Sequence, residues 1–467
     1  MPPSNHYSPA PIHAQLGEGF FDPVLPARFP KHILRYRNNA CAARLGLADL
    51  TDDEWLNYFG RFAPLPSNFA PPLALRYHGH QFRSYNPDLG DGRGFLFAQL
   101  KDGTDGRILD LGTKGSGQTP YSRAGDGRLT LKGGVRELLA TSMLSALGVN
   151  TSKTFSLVET GEDLVRNDEP SPTRSSVLVR LSHSHIRIGT FQRLAFEQDG
   201  EKIQRLVDHV LQHYFTDVWQ TVSGASASQR AVAMLTETCR RVATTGAQWM
   251  AAGFVHGVLN TDNINITGES FDYGPYRFLP HYDPEFTAAY FDHTGLYAYG
   301  RQPETLMWNL TRLAECLLLV AERDAVTEAL KTFPQTFEPA LGKMICARLN
   351  VVPKDTESNL ELVTALYQVL HATQYPFEQV FFDWQKGGIT AAPFAPVQQL
   401  LAAYETAEPA RAGHAYFAGG GPCTLLIDEI ESIWAAIATA DDWGPLHAKL
   451  AAIAVMAEAL TPESSLT

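Results

Sequence analysis

The pattern of apolar residues changes near residue 200, and this change constrains the fold more than any other feature of the chain. Before it, short apolar runs such as GFLFAQL, RILDLGTK and SSVLVRLS are bounded by turn-forming residues, which is typical of β-strands. After it, long segments such as QRAVAMLTETCRRVATTGAQWMAAG carry apolar residues at helical spacing. The sequence therefore predicts an α+β protein with a strand-rich first part and a mainly helical second part.

Two helices are predicted inside the strand-rich part. In LTDDEWLNYFGRF, Thr51 is a good N-cap and acidic residues fill the first turn. In GGVRELLATSMLSALGV, five apolar residues share one face and Gly148 ends the helix. The segment from NINIT to SFDYG, after the long helix, is predicted to be a short hairpin.

Composition excludes several classes of protein. The chain has 467 residues, of which 44% are hydrophobic and 19% charged, as in globular soluble proteins. The net charge of −12 disfavours nucleic-acid binding, and no apolar run is long enough to span a membrane. The five cysteines are scattered and the first thirty residues contain no apolar signal segment, so we expect reduced thiols and a cytoplasmic protein.

The loop HGVLNTDN raises the main question about chemistry. His256 and Asn263 have the spacing of a protein-kinase catalytic loop, in which the second residue after the His is the catalytic Asp. Here that position is Val258, which can neither accept a proton nor bind a metal. Asp262 stands just before the Asn, where it is a candidate base or simply the cap of a turn.

The other parts of a kinase-like site follow in kinase order. A Gly-rich loop, GDGRG, precedes a strand that ends in Lys114, a helix carries Glu137, and an Asp-aromatic-Gly turn begins at Asp272. Glycines at 90, 92 and 94 would let backbone approach phosphate oxygens. Taken singly, GDGRG is more often a turn, and Lys114 with Glu137 could be an ordinary surface pair. The interpretation as a kinase-like site depends on the whole set occurring in this order.

Candidate metal ligands are oxygen atoms. Asn263 and Asp272 would supply the hard ligands that Mg²⁺ or Mn²⁺ prefers, with the phosphates of ATP completing the shell. His183, His185 and His293 form no closed zinc set, and His256 is expected to hydrogen-bond backbone and shape its loop.

Three longer segments closely resemble the selenoprotein O family: TKGSGQTPYSRAGDGRLTLKGGVRELLA, VRLSHSHIRIGTF and HGVLNTDNINITGESFDYGPYRF. The resemblance covers about residues 20–310 and is faint beyond about 385. It implies a bilobal protein-kinase-like fold with an N-terminal extension over 1–75, a β-rich N-lobe over 76–200 and a mainly helical C-lobe with a C-terminal helical extension over 201–467. It also implies an enzyme that binds ATP in a flipped orientation and transfers AMP to Ser, Thr or Tyr hydroxyls of proteins.

The resemblance also implies a role for individual residues. Asp262 would be the proton acceptor, Glu137 would pair with Lys114, and Asn263 and Asp272 would bind the metal. The clamp on the phosphates would consist of Lys114, Arg180 and Arg187. The remaining nucleotide contacts would be Gly90, Gly92, Arg93, Asp126, Gly127 and Asp272. Without the family, the two arginines could equally lie on a solvated face.

Departures and alternatives stay open at this stage. Many family members carry a redox-active Cys or selenocysteine near the C-terminus, whereas the last cysteine here is Cys423, which puts redox control by such a thiol in doubt. The competing functions are a conventional phosphotransferase that uses the γ-phosphate and a non-catalytic nucleotide-binding scaffold. We expect a monomer whose partners are ATP and hydroxyl-bearing proteins.

Overall fold

One large antiparallel sheet organises the strand-rich part of the computed structural model, which describes residues 4, 6–167 and 169–461. Its strand order is β1-β3-β6-β7-β10-β9-β2, and β8 pairs with β10. The strands are β1 Phe21–Pro23, β2 Ile33–Arg37, β3 Leu73–Leu75, β4 Gly79–Gln81, β5 Ser84–Asn86, β6 Leu96–Lys101, β7 Ile108–Lys114, β8 Leu129–Thr130, β9 Lys153–Leu164, β10 Thr173–Ser182, β11 Phe254–Val255 and β12 Arg277–Phe278. The other four strands form two separate two-stranded ladders, β4 with β5 and β11 with β12.

Helices form nearly all of the remaining regular structure. They are α1 Asn39–Arg44, α2 Asp52–Phe59, α3 Leu131–Ala146, α4 Ile188–Phe196, α5 Gly200–Tyr214, α6 Thr216–Val222, α7 Ala227–Ala251, α8 Gln302–Leu317, α9 Arg323–Leu330, α10 Thr332–Arg348, α11 Thr356–Thr373, α12 Phe377–Gln385, α13 Ala395–Leu401, α14 Ile427–Ala440 and α15 Gly444–Leu460. None of the helices in the described ranges is both long and apolar enough to cross a membrane.

The middle of the sheet is covered on both faces. Successive side chains of a strand point to opposite faces, so Phe155 packs with α2, where its ring stacks on that of Trp55 at 4.8 Å. Leu157, two residues on, is also buried but belongs to the cluster formed by α3 and the helical part. Burial on both faces explains why every residue of β7 is buried and why this run lacks polar alternation.

Strand register and helix caps position the residues that matter for function. Arg180 on β10 lies opposite Gly112 on β7, and Leu178 lies opposite Lys114. Thr130, the last residue of β8, caps α3 because its side chain accepts from the Gly133 amide, so the helix follows directly from a strand of the sheet. Helix α7 starts with a capping box at Ser226 and leads the chain into the 256–263 loop.

The C-terminal helical pair is tied to the sheet and to α3. Lys132 on α3 forms an ion pair with Glu431 on α14 at 2.7 Å. Asp441, in the left-handed turn between α14 and α15, accepts from Arg174 on β10 at 2.8 Å. These contacts join residues far beyond 385 to the strand-rich part.

The α+β prediction is confirmed, as are the helix capped by Thr51 and the end of α3 before Gly148. The hairpin predicted after NINIT is wrong. Residues of that segment bridge to other parts of the chain instead, Asn265 to Arg187 and Ser270 to Thr151. Long-range pairing therefore outweighed the local turn signal.

Candidate active site

A cavity of about 800 Å³ lies beside the end of β7 and the 256–263 loop, and it gathers the residues singled out by sequence. Its lining includes Gly90, Gly92, Arg93, Lys114, Asp126, Gly127, Arg180, Arg187, Asp262, Asn263 and Asp272. Of the predicted site residues only Glu137 does not line it; this residue lies behind Lys114. Residues from distant parts of the chain thus meet in one concave polar site.

Lys114 and Glu137 form a buried ion pair. The Lys114 ammonium donates to Glu137 Oε2 at 2.6 Å, and the side chains are 10% and 1% exposed. Lys114 ends β7 and Glu137 lies in the second turn of α3, so the pair links sheet and helix. Burial lowers the pKa of Lys114, while the charges of Glu137 and Asp272 oppose that shift.

Asp272 sits at the centre of a cluster of cations. Its two carboxylate oxygens accept from Arg180 and Arg187, one oxygen to each guanidinium, and Lys114 Nζ is 3.8 Å from Oδ1. Its backbone is left-handed, with φ of 62°. Burial raises the pKa of Asp272, but Arg180, Arg187 and Lys114 outweigh it, so the net pKa is well below the ordinary value.

The two arginines are held over aromatic rings. The guanidinium carbon of Arg187 lies 4.6 Å from the ring centre of Phe271 and 4.8 Å from that of Tyr77. Arg180 lies 4.9 Å from the same Phe271 ring. Both arginine side chains are 5% exposed, which rules out the solvated-face alternative.

Asp262 is buried and only partly satisfied. Its main-chain carbonyl accepts from Arg187 Nη1 at 2.6 Å, whereas its Oδ1 atom has no hydrogen-bond partner. Gly79 approaches it so closely that a Cβ there would lie 2.8 Å from Oδ1. Burial raises the pKa of Asp262 to about 6 despite the opposing charge of Arg187. A carboxyl poised near neutrality is suited to accept a proton.

Asn263 and Asp272 both line the cavity, and each carries side-chain oxygen that could bind a cation. The Asn263 amide nitrogen donates to the Val258 carbonyl at 3.0 Å. The amide oxygen is therefore the Asn263 atom that could serve as a metal ligand. Within the described ranges, no group of three or more His, Cys, Asp and Glu side chains is arranged to hold a metal ion. Two oxygen donors fit a magnesium-like ion that takes its other ligands from phosphate and water.

Close contacts with other residues of the chain require the glycines of the Gly-rich loop. A Cβ on Gly90 would lie 2.3 Å from the Tyr121 ring, and one on Gly94 would lie 2.0 Å from the Thr113 carbonyl. A Cβ on Gly92 would meet the Tyr121 carbonyl at 2.8 Å. These contacts alone require glycine, so the close approach to phosphate stays a prediction.

Asp126 and Gly127 lie at the outer rim of the cavity. Asp126 forms an ion pair with Arg166 at 2.8 Å, and its side chain is 48% exposed. Burial raises the pKa of Asp126, but hydrogen bonds from Arg166 and the Arg128 amide outweigh it, so the net pKa is below the ordinary value. Gly127 has φ of 69° and packs against Gly117, where a Cβ would clash with backbone.

The histidines serve the structure around the site. His256 Nε2 bonds with the Phe271 carbonyl at 3.0 Å and its amide donates to Gln302, as the sequence predicted for a loop-shaping residue. His183 Nδ1 bonds with the Ile108 carbonyl at 2.9 Å. His185 contacts Asp110 and Arg180, a link that the sequence analysis missed.

Sequence reasoning also missed other residues on the cavity wall, among them Tyr77, Asp91 and Tyr121. Asp91 Oδ2 accepts from the Leu75 amide at 3.0 Å, and Oδ1 is 3.9 Å from Arg187 Nη2. Asp91 was visible as the acidic residue inside GDGRG, and its position between two needed glycines was the available signal. The aromatic residues gave no signal beyond their apolar character.

Comparison with known proteins gives consistent matches. A family described as "Protein adenylyltransferase SelO" matches residues 4–408. A relative from Synechocystis sp., named "Protein nucleotidyltransferase YdiU", is 45% identical over 94% of this chain and 96% of its own length. Proteins of the same name from Gloeobacter violaceus and Vibrio cholerae are 44% and 36% identical, covering 94% and 76% of this chain and 93% and 70% of their own lengths.

Proposed function

Because the chain belongs to the SelO family of protein adenylyltransferases, we propose that it transfers AMP from ATP to Ser, Thr or Tyr hydroxyls of proteins and releases pyrophosphate. It is an enzyme, a protein nucleotidyltransferase. One observation carries the finer proposal. The usual base position is Val258, while a buried carboxylate, Asp262, faces the same cavity as three buried cations.

ATP is bound in a flipped orientation in this proposal. Lys114, Arg180 and Arg187 would hold the terminal phosphates, because a planar guanidinium binds phosphate oxygens in pairs. The α-phosphate would then lie near Asn263 and Asp272. The three cations now share the Asp272 carboxylate within ion-pair distance, so phosphate oxygens would replace or join that carboxylate as acceptors.

Asn263 and Asp272 would hold Mg²⁺ or Mn²⁺. A divalent cation bound there would neutralise charge on the phosphates. The chain's own residues prepare the place: the bond from Asn263 to Val258 fixes the amide, and Arg180 and Arg187 keep the Asp272 carboxyl ionised. An ionised Asp272 is the form that binds a cation.

Asp262 would receive the proton in the chemical step. The hydroxyl oxygen of the substrate forms a bond to the α-phosphorus, and the bond from that phosphorus to the bridging oxygen of pyrophosphate breaks. The hydroxyl proton passes to the carboxylate of Asp262, a residue that lines the cavity. Lys114, Arg180 and Arg187 would neutralise the negative charge of the leaving pyrophosphate. A carboxylate acidifies an aliphatic hydroxyl little, so positioning and charge neutralisation dominate.

We further propose a protein-kinase-like bilobal organisation: an extension over 1–75, an N-lobe over 76–200 and a C-lobe with helical extension over 201–467. The link between Lys114 on β7 and Glu137 on α3 supports this reading. We also propose that a monomer works in the cytoplasm, where the five buried cysteines would stay as free thiols.

The test uses purified protein, Mg²⁺ or Mn²⁺, a protein mixture and ATP labelled on either the α- or the γ-phosphate. We expect label on protein from the α position only. Label from the γ position only would make the chain a conventional phosphotransferase. ATP binding without transfer of either label would favour a scaffold. The Asp272→Ala protein serves as the control for contaminating activity.

A further inference from the structure

Arg180 is held from behind by a line of hydrogen bonds that crosses the sheet. Its Nε donates to His185 Nε2 at 3.0 Å, and His185 Nδ1 lies 3.2 Å from Asp110 Oδ2. The other Asp110 oxygen accepts from Gln99 Nε2 at 2.7 Å. All four side chains are buried, and the most exposed of them, that of His185, is only 6% exposed.

The contacts fix the proton on the His185 ring. A guanidinium Nε carries a hydrogen and can only donate, so His185 Nε2 must be the unprotonated acceptor. The ring proton of the neutral imidazole is then on Nδ1, where it faces the Asp110 carboxylate. The Asp–His arrangement resembles those in which a carboxylate selects the tautomer of a functional histidine.

The space for this contact is reserved by the neighbouring strand. A Cβ at Gly112 would lie 2.2 Å from His185 Nε2, the atom that receives the Arg180 hydrogen. Gly112 is the register partner of Arg180. A larger residue there would push the imidazole off the arginine.

We propose that His185 is a positioning residue for the phosphate clamp: with Asp110 behind it, it holds Nε of Arg180 so that the far end of the guanidinium faces the cavity. The inference rests on the proposed function for the identity of the ligand. Arg180 Nη1 contacts Asp272 and lies 3.6 Å from Glu137 Oε1, so its fork is placed between the two carboxylates. Fixing Nε leaves the guanidinium one orientation, and a preorganised fork loses less entropy on binding.

Two substitutions separate this role from simple packing. In His185→Asn the amide reaches only the Nδ1 position, so the contact to Asp110 is retained and the acceptor for Arg180 is lost. In His185→Gln the amide oxygen reaches the Nε2 position, so the reverse holds. Both variants lose the ring and one hydrogen bond, which makes each the control for the other. The readouts are the dissociation constants of Mg-ATP and of AMP, the thermal midpoint and the KM for ATP against kcat in AMP transfer.

We expect His185→Asn to weaken ATP binding about tenfold, the size expected for one hydrogen bond to a charged group, and His185→Gln to stay within about twofold of the unmodified chain. KM should change more than kcat. AMP lacks the terminal phosphates, so its affinity should change less than about twofold in either variant. Equal ATP affinities in the two variants, or equal losses for ATP and AMP, would overturn the role of His185.

A second measurement needs no variant to fold. In the unmodified chain with ¹⁵N-labelled histidine, we expect the His185 ring to show an unprotonated Nε2 and a protonated Nδ1. A protonated Nε2 would overturn the inference. Binding and transfer are measured separately, so a chain that binds ATP but transfers no AMP overturns the proposed function, whereas the ATP comparison alone decides the role of His185.

Discussion

The same strand, β10, contributes an arginine to two ionic clusters that behave differently. We call the first the edge cluster; it consists of Arg35, Glu159, Arg174 and Asp441. We call the second the cleft cluster; it consists of Lys114, Glu137, Arg180, Arg187 and Asp272. In both, arginines share carboxylates from distant parts of the chain.

The clusters differ in how completely their polar atoms are used. Both oxygens of Glu159 in the edge cluster accept from Arg174 at 2.7 Å, and Asp441 is 55% exposed. The cleft cluster contains two buried atoms without hydrogen-bond partners, Glu137 Oε1 and Arg187 Nε; no edge-cluster atom within the described residues is in that state. A buried polar group left unpaired is costly. The fold therefore satisfies the polar atoms of the edge cluster more completely than those of the cleft cluster.

The largest expected effect is at the centre of the cleft cluster. Asp272→Ala should reduce AMP transfer at least about a hundredfold, because it removes a proposed metal ligand and the acceptor shared by two arginines. Breaking a buried charge pair costs about 3–5 kcal/mol of unfolding free energy, so stability should fall as well. Transfer is measured with α-labelled ATP, and unfolding is followed in urea.

Asp272→Asn keeps the shape and serves to separate the two effects. We expect it to be more stable than Asp272→Ala and equally inactive. Transfer by Asp272→Ala within about threefold of the unmodified chain would contradict the metal assignment. It would also erase the functional difference between the two clusters.

The next effect concerns Asp262, which borders the cleft cluster. Asp262→Asn should lower the rate of AMP transfer about a hundredfold and leave ATP affinity nearly unchanged, because the residue is proposed to contact the hydroxyl rather than the phosphates. The proton acceptor must be ionised. Burial raises the pKa of Asp262 to about 6, so the rate should rise with pH through that value or below it, since a bound cation favours the ionised form.

The measurement is the rate of transfer between about pH 5 and pH 8 for the unmodified chain and for Asp262→Asn. We expect the rise in the unmodified chain and a flat, low profile in the variant. The same rise in both proteins would assign the titration to another group. If Asp262 served only to cap a turn, Asp262→Asn would lower the free energy of unfolding but would keep the pH dependence of the transfer rate.

The sequence predicted the α+β class and residues that line the cavity better than it predicted how those residues are held in place. The spacing of apolar residues identified β7 and α3. The kinase-like order of the motifs predicted that Lys114, Glu137 and Asp272 lie close together, as they do in the structure. The bonds that fix Arg180 depend on strand register, which places Gly112 beside His185. Strand register depends on the pairing partner, so the sequence of a single strand does not determine it.

The wrong hairpin has the same physical cause. Local turn residues favoured pairing within 263–274, but Asn265 and Ser270 pair with Arg187 and Thr151 instead. Those partners lie next to β10 and β9 and are far away in sequence. The burial of Arg187 was equally invisible, since an arginine in a loop reads as a surface residue until its ring neighbours are known.

The smallest expected effect is in the edge cluster. Asp441→Asn removes a charge but keeps a residue that tolerates the left-handed backbone, where φ is 50°. Exposed ion pairs contribute at most about 1 kcal/mol, so the unfolding free energy should fall by less than that, and less still in 1 M salt. Bonds from Trp443 and Arg174 lower the pKa of Asp441 to about 2. Because the folded-state pKa is lowered, the contribution is present above the ordinary value of 3.8 and is lost as pH falls toward 2.

Urea midpoints of the two proteins should thus differ slightly and constantly near neutral pH and converge below about pH 4. ATP affinity and AMP transfer should be unchanged, because Asp441 contacts Arg174 and Arg35 and no residue of the cleft cluster. A loss of transfer without loss of stability would break the comparison. It would mean that the turn between α14 and α15 acts on the cleft through β10, the one strand the two clusters share.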